Sequence, residues 1–210
     1  LALRYVPSTH GAVVTALLPL STAVLGALWF KQRPSKGFWA CALLGTGLVL
    51  GFMVWRAGGL YLGVANIYLI IAMTTGAFGY IGGARLTPRL GSEQTICWVL
   101  VSGLPLTLPV AWWFMPVDAA AITGMAWLGF VYVALFSMWI GFFAWYRALA
   151  LGAVRVSQIQ LIQPFLSLLF AVPLVGERLD GMTLAFAVAV IATVYVGKKM
   201  PVGSAQGVSK

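Results

Sequence analysis

In the stretch VSQIQLIQPFLSLLF, Ser157, Gln160, Pro164 and Ser167 recur at three- and four-residue steps. On an α-helix that spacing puts them on one face. Gln163 sits beside that face, directly before the proline. A glutamine amide both donates and accepts hydrogen bonds, so the set suits a zwitterionic or amide-bearing solute. Helix–helix hydrogen bonding, worth about 0.6 kcal/mol on average in membranes, is the competing use. Thr15 and Thr22 occupy corresponding positions near the start, with His10 at the mouth of their helix. His10 is the only histidine; it reads either as a group titrating near neutral pH or as an interfacial anchor. Trp139 and Tyr146 lie two turns apart, with Ser137 close by, and would form an aromatic wall for a substrate. Tryptophan and tyrosine at helix ends also anchor membrane interfaces, which covers Trp112 and Trp113. Asn66, Thr74 and Thr75 are further cavity candidates.

The elements that must position these residues follow from composition. The chain is 61% hydrophobic and 8% charged, with a mean hydropathy of +0.98. A soluble domain is roughly a quarter charged, so the bilayer is the expected solvent. The net charge of +9 falls in short clusters between apolar runs. That is the pattern of cytoplasmic loops and not of a nucleic-acid surface. Cys41 and Cys97 lack a paired spacing and read as packing residues, so no metal is expected. No H-E-x-x-H, G-x-S-x-G or P-loop pattern occurs. Neither an enzyme nor a cofactor is expected.

Crossing a bilayer takes about 20 mainly apolar residues. Seven runs qualify as candidates: Ala12–Phe30, Phe38–Val54, Leu62–Ala84, Ile96–Met115, Met125–Tyr146, Val156–Val175 and Met182–Val196. They are continuously apolar and not alternating, so the expected fold is an all-α polytopic membrane protein. Pro164 and Pro173 are tolerated there as kinks. Gly47 with Gly51, and Gly79 with Gly83, read as small-xxx-small pairs for tight helix contact.

An internal repeat is visible. The segment from Ala2 and the segment from Ala148 each run through a small polar loop and an apolar stretch with a central proline. Each reaches an arginine, Arg33 or Arg178, fourteen residues beyond Pro19 or Pro164. Aligning the two units predicts roughly 85 residues, or three helices, ahead of Leu1. Seven of ten helices would then be visible. One side carries Lys31, Arg33, Lys36, Arg85, Arg89, Arg147, Arg155, Lys198, Lys199 and Lys210, ten of the thirteen Lys and Arg. By the positive-inside rule that side is cytoplasmic. The equivalent loops differ in sign: Lys31–Lys36 is basic, while Glu177–Asp180 sums to −1. Five helices per repeat would put them on opposite faces, so the repeats are expected to be inverted.

Tyr146-Arg-Ala-Leu149, then VSQIQLIQP, then VPLVGERL and a Gly-containing last helix resemble the EamA-type domain of the drug/metabolite transporter (DMT) superfamily. The resemblance implies ten helices in two inverted five-helix repeats, and transport of small metabolites, often export. Residues 1–56 would hold the end of helix three with helices four and five; residues 60–199 a complete second repeat; residues 200–210 a cytoplasmic tail. Where the pattern has a glutamate, the first repeat has Gln32 in FKQRP.

No span contains an Asp, Glu or Lys in its interior, although proton-driven carriers usually embed an ionisable relay. The relay then lies in preceding helices, or is His10, or the protein is a facilitator. The reading is therefore a secondary transporter, an exporter of small organic metabolites working by alternating access in the inner (cytoplasmic) membrane. The alternative is a non-transporting membrane subunit or scaffold. Expected partners are a small-molecule solute, membrane lipid, and either further N-terminal helices or a second copy of the chain.

Overall fold

The computed structural model describes residues 15–57, 64–114, 122–175 and 180–204. In chain order the elements are α1 (Leu18–Trp29), β1 (Gln32–Pro34), α2 (Lys36–Ala57), α3 (Val64–Leu90) and α4 (Ser92–Trp113). Next come α5 (Gly124–Tyr132), a π-helical segment (Val133–Ile140), α6 (Gly141–Ser157), a 3-10 segment (Gln158–Ile162) and α7 (Gln163–Val175). The described chain closes with α8 (Gly181–Lys199) and β2 (Val202–Ser204). This is an all-α membrane protein carrying one two-stranded ribbon.

Among the described residues, five helical stretches are long and apolar enough to cross a membrane: Lys36–Arg56, Asn66–Leu90, Ser92–Trp113, Gly124–Ser167 and Gly181–Lys199. The apolar α1 is shorter over its described length. Their outward surfaces carry large apolar side chains, such as Leu106, Trp113, Met125 and Leu151 at 76–87% exposure. In water such a surface would drive aggregation; against lipid it is the favourable face.

Two boundaries shift from the expected ones. α3 runs past Ala84 to Leu90, so Arg85 and Arg89 ride on its last turns and not in a loop. α4 starts at Ser92, leaving Gly91 as the connection, at a φ of 83° that a side chain would strain. Pro88 in α3 and Pro105 and Pro109 in α4 lie within helices. In a bilayer the cost of leaving helical geometry outweighs the lost proline hydrogen bond.

The chain divides into two compact units, Leu1–Ile81 with Gly152–Lys210, and Gly82–Leu151. Helical geometry is interrupted near the second junction, at Gly152 (φ 162°, ψ 77°). In the first unit α2 and α8 pack along much of their length. Its core joins Val49 and Phe52 of α2, Leu161 and Phe165, and Val190 and Val194 of α8. Phe52 lies 5.0 Å from the Phe165 ring and 5.5 Å from Phe186. A second cluster joins Ala23 and Ala27 of α1 to Phe38 and Ala42 of α2 and Val154.

α8 is well signalled at both ends. Asp180 caps it, accepting from the Thr183 backbone N–H at 2.7 Å. Lys198 and Lys199 close it, where the helix dipole favours cations. Beyond it, Val202–Ser204 form a short strand. β2 pairs antiparallel with β1, with Gln32 opposite Ser204 and Pro34 opposite Val202.

In the second unit, a β-carbon at Gly83 would overlap the buried Tyr146 ring. That position therefore requires glycine. Gly47, Gly51 and Gly79 have open space where a β-carbon would stand, so their small-xxx-small reading is corrected. Between α2 and α8 the glycines in close contact are Gly45, which faces Thr193, and Gly197, which faces Cys41.

Candidate functional site

The segment that reads as one polar helical face is not one continuous α-helix. α6 ends at Ser157, five residues follow as a 3-10 turn, and α7 begins at Gln163. The cause is Pro164, which offers no N–H and whose ring crowds the carbonyl four residues back, at Gln160. The preceding turn tightens to an i→i+3 pattern with about 3.0 residues per turn. The polar residues therefore fan out. Ser157 is fully buried, Gln160 and Pro164 are half-buried, and Gln163 and Ser167 are exposed. The shared-face expectation is corrected accordingly.

Each side chain has a distinct environment. Ser157 Oγ donates to the Val154 carbonyl at 3.1 Å, within its own helix. Ser167 Oγ does the same to Gln163 O at 3.1 Å. Gln160 hydrogen-bonds to the Tyr80 hydroxyl, while its Oε1 is buried without a hydrogen-bond partner among the described residues. Gln158, one position off the expected face, is the most enclosed of the described glutamines. Its Nε2 donates to the Pro19 carbonyl of α1 at 3.1 Å and lies 3.4 Å from Ser157 Oγ. Its Oε1 is likewise buried without a partner among the described residues. Gln158 also lines a cavity of about 10 Å³ with Phe38, Cys41, Leu161 and Thr193. Helical periodicity conceals both Gln158 and Tyr80; a reading of Pro164 as a source of tightened turns, and not only of kinks, would have exposed Gln158.

Thr15 stands exposed at the start of the described chain, and Thr22 is buried, donating to Leu18 O at 2.8 Å. Thr74 and Thr75 likewise donate to carbonyls one turn back, at Ile70 and Ile71. His10 and the Glu177–Arg178 pair lie outside the described residues.

Trp139 and Tyr146 belong to the second unit. Trp139 sits on the π-helical segment, its Nε1 donating to Cys97 Sγ at 3.5 Å and its ring edge-on to Phe143 at 5.6 Å. A π-helical turn changes the angular offset per residue, so Trp139 and Tyr146 are not simply two α-turns apart. Tyr146 is 2% exposed and packs edge-on to Phe142 at 5.3 Å, its ring filling the space left by Gly83. Where an aromatic wall was expected, Tyr146 is held in the packing of its own unit and Trp139 is partly exposed.

Five apolar helical stretches among the described residues, each long enough to cross a bilayer, define a polytopic membrane protein. Residues 63–196 match the EamA-like transporter family. A Bacillus subtilis (strain 168) protein described as "Uncharacterized transporter YdeK" is 42% identical over 200 residues, covering 95% of this chain and 69% of that protein. A solved crystal structure with 18% identity has a TM-score of 0.75, covering 93% of this chain and 68% of that one, and shares the fold. The chain belongs to the EamA-like transporter family of the DMT superfamily. It is a multi-pass membrane protein, with the small-molecule solute and lipid surroundings that a transporter implies.

Proposed function

We propose that the protein is a secondary carrier that exports small, neutral or zwitterionic polar metabolites across the cytoplasmic membrane by alternating access. The observation that carries this reading is the break in helix geometry at Gln158–Ile162, which holds two glutamine amides whose buried carbonyl oxygens have no partner among the described residues. Carriers place substrates where helices are discontinuous, because backbone and amide groups released from the regular ladder can bind a solute. Gln160, half-buried and joined to Tyr80, is the foremost contact. Gln163 and Ser167 extend the polar surface along α7, and Ser157 supports it from behind. Thr15 and His10 would contribute from the first repeat.

The Gly124–Ser167 run, read as two crossings, raises the five spans to six, and the shorter apolar α1 would make seven. Its 44 residues would extend about 66 Å at 1.5 Å per residue, twice the bilayer core. The interruption at Gly152 divides it. In this arrangement residues 60–199 form a whole five-helix repeat, inverted relative to the preceding one. The basic loop Lys31–Lys36 and the C-terminus face the cytoplasm.

The test is flux from vesicles containing the natural gene product, loaded with a panel of radiolabelled amino acids and neutral metabolites. Saturable efflux of a polar zwitterion, reduced at least about tenfold by Gln160→Ala with unchanged insertion, is expected. The lost contact is a buried hydrogen bond, and about 1.4 kcal/mol is tenfold. No saturable flux of any solute would leave a non-transporting membrane subunit as the reading. Flux that persists after collapse of the proton gradient would exclude proton coupling.

A further inference from the structure

The β1–β2 ribbon acts as a clasp at one end of the first unit. Besides the strand pairing, the Ser35 backbone N–H donates to Pro201 O at 3.0 Å and Arg155 Nη2 donates to Met200 O at 2.9 Å. These bonds draw separate parts of the chain together. Lys31 and Arg33 come from the β1 connection between α1 and α2, Lys36 from the first residue of α2, Arg155 from α6, and Lys198 and Lys199 from the last turn of α8. All of these side chains are exposed.

No carboxylate balances them there among the described residues of this unit. Its described acid is Asp180, which caps the opposite end of the 19-residue α8, about 28 Å away at 1.5 Å per residue. Aromatic side chains stand beside the cations. The Lys199 and Lys198 ammonium groups lie 4.3 and 5.3 Å from the centroid of the half-exposed Tyr195 ring. Trp29, 45% exposed, ends α1 two residues before Lys31. Tyrosine and tryptophan at helix ends settle at the depth of lipid headgroups.

We propose that the clasp gathers these cations into a binding site for the phosphate of an anionic phospholipid headgroup. Arginine offers a planar fork that matches phosphate oxygens, and lysine supplies compact charge. Depth favours a lipid over a nucleic acid, since the aromatic anchors hold the cations beside the headgroup layer. A lysine or arginine at an anionic surface strengthens association by about fivefold. Clustering matters because a headgroup phosphate meets several cations only if they are held together.

The experiment uses the full natural chain, purified and presented with phosphatidylglycerol or phosphatidylcholine, with retained lipid counted by native mass spectrometry. The expected result is preferential retention of phosphatidylglycerol. Neutralising Lys31, Arg33, Lys36, Lys198 and Lys199 to Gln lowers that retention at least about tenfold, while the same positions as Arg or Lys of unchanged charge keep it. Arg56→Gln, in the last turn of α2 and so at its far end from Lys36, leaves retention unchanged. A chain ended after Pro201 retains every one of these cations but lacks β2, and it binds less phosphatidylglycerol than the full chain. Equal retention of both lipids, or an undiminished signal in the neutralised or clasp-less chain, would overturn the proposal. Full displacement by millimolar inorganic phosphate, or preferential capture of a single-stranded oligonucleotide over phosphatidylglycerol, would equally overturn the lipid assignment.

Discussion

Gly83→Ala should destabilise the protein when Tyr146 is present and stabilise it when Tyr146 is cut back to Ala. In the native chain the new methyl group would overlap three ring carbons of Tyr146, a side chain only 2% exposed and flanked by Phe142. A rigid buried ring cannot swing away, so the overpacking costs about 1–3 kcal/mol. Against that stands the better helix propensity of alanine, about 1 kcal/mol over glycine in a helix interior. The net loss in the native background is then about 0–2 kcal/mol. With Tyr146→Ala the overlap disappears and only the propensity gain of about 1 kcal/mol remains. Unfolding in mixed micelles titrated with SDS, followed by far-UV circular dichroism, gives the four free energies of the cycle. A coupling of about 1–3 kcal/mol with opposite signs in the two backgrounds is expected. The same sign in both, or a coupling near zero, would refute the claim that Tyr146 dictates glycine at position 83.

Other outcomes follow from the same geometry. Gln158→Glu removes the amide donor to the Pro19 carbonyl and buries a carboxyl group against that oxygen. A protonated carboxyl can restore the donor, whereas a carboxylate only sets one acceptor against another. The variant should therefore melt lower at about pH 8 than at about pH 5, with Gln158→Leu showing no such dependence. Hydrogen bonding from Thr183 holds the Asp180 carboxyl below its ordinary range. Its folded pKa is lowered, so its contribution is fully present above the ordinary carboxylate pKa and is lost as pH falls through the folded value. Asp180→Asn, which keeps a capping oxygen, should flatten that acid limb of a thermal-stability profile. Exchange of the Thr183–Leu184 amides, measured at neutral pH, should quicken in Asp180→Ala.

Composition alone determined the solvent. A chain with 61% apolar residues in long uninterrupted runs must satisfy its backbone internally, and helices follow without reference to any distant contact. The Pro164 and Gly-Glu-Arg pattern also carried the family resemblance, which the match over residues 63–196 established. Local signals such as the Asp180 cap and the closing lysines of α8 are legible because they act within one turn.

The faces of the helices were not legible, because an angular position depends on every turn before it. One tightened turn ahead of Pro164 and one π-helical segment before Gly141 re-aimed Gln158, Gln160 and Trp139. Which glycines matter depended on partners far along the chain: Tyr146 reaches Gly83, and no described residue reaches Gly79. The clasp was hidden for the same reason, since three residues of β1 mean little until β2, about 170 positions later, lies beside them. Short-range chemistry chose the helices; packing between distant segments decided which side chains are enclosed, which meet, and which face lipid.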